Sequence, residues 1–130
     1  NEGSMLNTPN TFGWYVAGKM FDWYLENGGV VEMEKQSIAK TAMLYDLIDK
    51  SDFYVNPVNP EQRSINNVVF TIVNSELEKV FLEEAEKADL RYLKGHRTVG
   101  GMRASIYNSM KIESVSVLKD FMENFEKNYG

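Results

Sequence analysis

The chain contains no cysteine, which excludes disulfide frameworks, thiolate metal sites and cysteine nucleophiles. It has a single histidine, His96. Zinc sites usually draw on several His or Cys ligands, so no metal centre is expected. Basic residues are outnumbered, with 14 Lys and Arg against 19 Asp and Glu, a net charge of −5 and a pI near 4.9. A negative field repels nucleic acid and anionic membranes, and neither is expected as a partner. No apolar run approaches the roughly 20 residues of a membrane span. The opening Asn1-Glu2-Gly3-Ser4 lacks both the basic start and the apolar stretch of a secretory signal, which predicts a cytoplasmic location. A Gly-rich loop ending in Lys-Ser/Thr, the mark of a nucleotide site, is also missing.

What is present suffices for one hydrophobic core: 130 residues, 43% of them apolar. Asn7-Thr8-Pro9 predicts a helix start, with Thr8 as N-cap and Pro9 in the first helical position. That helix should run through Leu25 and stop at Gly28-Gly29. Its apolar residues occupy most of its circumference, so it should be covered on more than one side. In a domain this small, part of the cover is expected from another chain or from missing sequence, and the surface around Trp14, Tyr15, Trp23 and Tyr24 should favour self-association. A second helix fits Val31 to Asp49, with Ile38, Ala42, Tyr45 and Ile48 as its stripe. Strands are expected at Phe53–Val55 and Ile65–Ile72, the latter alternating Val68, Phe70 and Ile72 on one face. Ser75 and Glu78 form a potential capping box for a third helix with Leu77, Val80, Phe81, Ala85 and Ala88 inside. Brief strands at Arg91–Leu93 and Arg103–Tyr107 and a last helix over Glu113–Lys127 complete the order. It predicts an α+β fold, a small, mostly antiparallel sheet with helices packed on it.

The chemistry concentrates in one run, Lys94-Gly95-His96-Arg97-Thr98-Val99-Gly100-Gly101-Met102-Arg103. It holds two of the four arginines and the lone histidine. Each arginine can form a two-pronged hydrogen bond to carboxylate or phosphate, and His96 adds a further donor. Gly100 and Gly101 permit backbone conformations that bring main-chain N–H groups close to an anion. On the residues alone two readings stand: a site for a ligand with two separated anionic groups, or surface ion pairs beside an ordinary turn. The alternative function is a free-standing, non-catalytic anion-binding or dimerising module.

The run from Leu93 to Asn108 closely resembles the C-terminal signature of the phosphoserine aminotransferase family, class-V enzymes dependent on pyridoxal phosphate. Asn7-Thr8-Pro9 with Thr11-Phe12, Gly28-Gly29-Val30, Leu44-Tyr45-Asp46, the stretch Ile48 to Tyr54, Arg63-Ser64, Asn67-Val68 and the ending Asp120 to Lys127 fit the family in the same order. Departures are small: Asn10 stands where a second proline is common, Thr98 where serine is common, and Lys111 where proline often follows Met110.

The resemblance implies the aminotransferase fold, a homodimer, and transfer of the amino group of L-glutamate to 3-phosphohydroxypyruvate in serine biosynthesis, often also serving pyridoxine biosynthesis. Carried over, Arg103 grips the substrate α-carboxylate, while His96 and Arg97 contact the distal anion. Asn7 and Thr8 reach across the dimer to the cofactor phosphate of the partner subunit; helix capping is the competing use of Thr8. Residues 1–10 correspond to a segment of the large domain and 11–130 to the C-terminal small domain. No lysine here matches the family's Schiff-base lysine, so no catalytic residue is assigned, and the chain is expected to be an inactive portion of the enzyme.

Overall fold

Alternation builds the sheet. Val68, Phe70 and Ile72 fall on one face of a strand, β2 (Asn67–Ile72), and are almost fully buried, while the residues between them are partly open. The computed structural model describes residue 3 and residues 6–130 of the chain. Asn1, Glu2, Ser4 and Met5, part of the expected 1–10 segment, lie outside the described residues. β2 is the centre of a three-stranded antiparallel sheet, flanked by β1 (Tyr54–Val55) and β3 (Met102–Ser105). Tyr54 pairs with Ile72, and Val69 pairs with Arg103. With helices α1 (Thr11–Glu26), α2 (Gly29–Lys50), α3 (Leu77–Lys87) and α4 (Ile112–Tyr129), the architecture is α+β.

The chain forms two compact units, residues 1–33 and 34–130. In the first, α1 is capped by Asn10, whose side-chain oxygen accepts the Gly13 N–H at 3.0 Å. The expected Thr8 cap is therefore displaced by two residues, because Asn10 reaches the third helical N–H from closer in. No residue of α1 is buried: Phe12, Trp14, Tyr15, Phe21 and Leu25 are all exposed, Trp14 at 75%. Trp23 and Tyr24 are half-buried and meet edge to face at 5.3 Å.

The second unit is organised around an aromatic cluster. Phe81 is fully buried, with Tyr54, Phe70, Phe121 and Phe125 around it at ring separations of 5.0–6.2 Å, all edge to face. Leu44, Leu47 and Ile48 of α2 join the same core, as do Val115, Leu118 and Met122 of α4. The Tyr54 hydroxyl donates to the Met122 carbonyl at 2.9 Å, and burial pushes its pKa well above the ordinary tyrosine range.

Four local expectations are corrected. The inner stripe of α2 runs through Ser37, Lys40, Thr41, Leu44, Leu47 and Ile48, whereas Ile38 and Ala42 face solvent. The helix is rotated because its polar residues find partners inside. Lys40 is 2% exposed and donates to the carbonyls of Tyr107 and Met110 at 3.0 Å and of Asn108 at 3.4 Å. At the start of α3 no side chain of Ser75 caps; the Asn74 side chain takes the Glu76 N–H instead, and the helix opens at Leu77. Ala88, expected inside α3, is exposed, because the helix ends one residue before it. Arg91–Leu93 is not a strand, since Tyr92 sits at φ +64°.

Candidate functional site

Residues 94–103 form a closed loop leading into β3. Lys94 bridges to Met102, the Gly95 N–H donates to the Gly101 carbonyl at 2.8 Å, and the Val99 and Gly100 N–H groups both donate to the His96 carbonyl. Two glycines are sterically required. A Cβ on Gly95 would lie 2.0 Å from the Gly100 carbonyl oxygen; on Gly101, at φ +63°, it would lie 2.8 Å from the Phe70 carbonyl oxygen. The glycines thus let two chain segments close on each other, and the Gly100 N–H is committed inside the loop rather than offered to an anion.

His96 is fixed by Thr98. The Thr98 hydroxyl lies 2.7 Å from Nδ1, and the Thr98 backbone N–H donates to the same nitrogen at 3.3 Å. A backbone N–H can only donate, so Nδ1 is the acceptor and the neutral ring carries its proton on Nε2, an assignment made on hydrogen-bond grounds. The imidazole therefore keeps its Nε2–H as a donor for a further partner. Sequence reasoning treated Thr98 only as a departure from serine; its hydroxyl is the signal that would have revealed this role.

The sequence-identified residues divide between two clefts. His96 and Arg97, both exposed, line a cleft of about 600 Å³ against α3, together with Lys79, Lys94, Glu78, Glu83 and Glu86. Arg103, exposed on the outer face of β3 opposite Val69, lines a second cleft of about 500 Å³. Its backbone N–H is held by the Leu93 carbonyl at 2.7 Å, which anchors that side chain to a regular element. Tyr92 and Tyr107 also line this second cleft. Asn7 and Thr8 lie exposed ahead of α1. Among the described residues no cluster of His, Asp and Glu could hold a metal ion, and no helix is long and apolar enough to cross a membrane.

Arginine pairing separates the site from the rest of the unit. Arg63 makes a two-pronged bond to Asp49 at 2.6 and 2.7 Å and lies over the Tyr45 ring at 4.9 Å; Arg91 pairs with Asp89 at 2.8 Å. The Arg63 guanidinium holds the Asp49 carboxyl below its ordinary pKa. Among the described residues, neither Arg97 nor Arg103 has a carboxylate partner. The reading of these two as surface ion pairs is thereby set aside. The Arg97 cleft has three glutamates to offset its cations, whereas in the Arg103 cleft Asp89 is already taken by Arg91, so Arg103 is the uncompensated charge there.

The aminotransferase class-V family model matches residues 1–118. Among solved structures, the phosphoserine aminotransferase from Bacillus circulans subsp. alkalophilus superposes with a TM-score of 0.93 at 41% identity, covering 98% of this chain and 36% of that one. The pyridoxal-phosphate-bound phosphoserine aminotransferase from Trichomonas vaginalis gives a TM-score of 0.84 at 35% identity, over 92% of this chain and 34% of that one. The chain spans about a third of the length of these enzymes.

Proposed function

The chain belongs to the aminotransferase class-V family, and on that premise we propose that it is the substrate-binding portion of a phosphoserine aminotransferase. That enzyme moves the amino group of glutamate to 3-phosphohydroxypyruvate, giving phosphoserine and 2-oxoglutarate. The observation that carries the reading is the division of the arginines: two are neutralised by carboxylates, and two, Arg97 within the glycine-closed loop and Arg103 at its end, have no carboxylate partner among the described residues. An unpaired guanidinium on a strand keeps both prongs for a ligand carboxylate. Arg103 accordingly takes the α-carboxylate that both substrates share. His96, donating from Nε2, and Arg97 take the distal anion, phosphate in one half-reaction and the glutamate side-chain carboxylate in the other. The glutamates lining the Arg97 cleft weaken its draw on a free anion, so Arg103 is the stronger anchor.

Pyridoxal phosphate, when bound, supplies the electron sink for amino transfer. The donor set of Asn7 and Thr8, an amide and a hydroxyl, suits the phosphate of that cofactor in the partner subunit of a homodimer. This reading is supported by the cap of α1: Asn10 performs it, so the Thr8 hydroxyl is not taken up by the helix. Residues 1–10 then belong with the large domain and 11–130 with the small domain of a cytoplasmic enzyme of serine, and often pyridoxine, biosynthesis. No lysine here matches the family's cofactor-anchoring segment, so the chain by itself is proposed to be inactive.

Steady-state kinetics of the full-length enzyme carrying this chain tests the assignment. Arg103→Ala raises KM for glutamate and for the phosphorylated substrate alike, by about 1.5–3 kcal/mol of lost charge-assisted bonding. Arg97→Ala acts mainly on the phosphorylated substrate. Negligible effects of both changes would sink the assignment.

A further inference from the structure

We propose that Tyr92 is a ligand-contacting residue of the Arg103 cleft, closing over a bound carboxylate and donating its phenolic O–H to it. The inference rests on the reading of Arg103 as a carboxylate grip. Tyr92 holds φ at +64°, in the left-handed region that a side chain disfavours. The chain is anchored on either side of it. The Leu90 N–H is tied to the Ala85 carbonyl at 2.8 Å, Arg91 is paired with Asp89, and the carbonyl of buried Leu93 takes the Arg103 N–H at 2.7 Å. Asp89, the other non-glycine residue at positive φ, is of a type that tolerates this region and has Arg91 as partner.

Nothing in the fold repays a tyrosine at this position. Its side chain is part of a residue 91% exposed, and among the described residues it has no ring or hydrogen-bond partner. It does, however, line the cleft that holds the uncompensated Arg103. Backbone strain kept at the mouth of a cleft, with no gain in packing, marks a functional constraint. The chemistry matches: a carboxylate held by the two prongs of a guanidinium still has lone pairs to fill, and a phenolic O–H is a donor suited to them. The ligand class is a small carboxylate.

The test is an NMR titration of the 130-residue chain with O-phospho-L-serine, run beside thermal melts, for Tyr92→Gly, Tyr92→Phe and Arg103→Ala. Tyr92→Phe, which keeps the ring and loses the donor, binds about two- to tenfold more weakly, the worth of one hydrogen bond. Tyr92→Gly binds at least as weakly yet melts at the same or a higher temperature. Wild-type binding in Tyr92→Phe overturns the hydroxyl contact, and a lowered melting temperature in Tyr92→Gly shows that the ring serves packing instead. If Arg103→Ala alone loses binding, the Tyr92 inference fails and the Arg103 reading survives. An Arg103→Ala protein that binds as wild type overturns the Arg103 reading itself.

Discussion

At the scale of single residues, the candidate site depends on small groups that hold larger ones. Thr98 fixes the His96 ring through Nδ1, so Thr98→Val should release it while Thr98→Ser retains it. Imidazole ¹⁵N shifts check this directly: the Nε2-protonated form predominates in wild type and Thr98→Ser, and a mixture appears in Thr98→Val. Away from the site, the Asp49–Arg63 pair carries an acid dependence. Asp49 holds its proton less readily in the folded chain than in the unfolded one, so protonation favours unfolding. Its contribution is intact above about pH 4 and is lost as pH falls through the lowered folded value. Asp49→Asn should therefore flatten the acid limb of a melting-temperature profile; an unchanged slope below about pH 4 would refute the linkage.

At the scale of elements, the caps and the core make separable predictions. Asn10→Ala removes the side-chain acceptor for the Gly13 N–H and should cost about 1 kcal/mol, whereas Asn10→Asp should cost little; denaturant unfolding measures both. Phe81→Ala opens the aromatic cluster at its centre, with an expected loss of about 3–5 kcal/mol. How far these elements were legible in the sequence followed from what kind of signal positioned them. The alternation in β2 and the Phe81–Ala85 stripe of α3 were readable because apolar burial alone places them. The stripe of α2 was not, because Ser37 and Lys40 are buried against an amide and carbonyls contributed from far along the chain, and Thr41 is buried with its hydroxyl satisfied by the Ser37 carbonyl one turn back in the helix. Strand pattern failed at Arg91–Leu93 because Tyr92 adopts a left-handed conformation that tyrosine does not favour by itself and that no pattern of residue types announces. The anion site was legible as residue types; the division into two clefts and the absence of carboxylate partners required coordinates.

At the scale of the whole molecule, α1 keeps Phe12, Trp14, Tyr15, Phe21 and Leu25 exposed. Such a surface should make the chain associate with concentration. Sedimentation velocity should show a concentration-dependent species that Phe21→Glu diminishes; a monomer at all concentrations would refute this. The second unit has an opposite peculiarity, a cation stored inside. Lys40 donates to three main-chain carbonyls and is the buried one of the chain's ten lysines, the others being exposed or half-exposed. Its amine is thus withheld from electrophiles as long as the carbonyl cage stands, and burial lowers its pKa without exposing it. Under mild acylation the other lysines react at once, and the rate at which Lys40 acquires the label counts the openings of the fold.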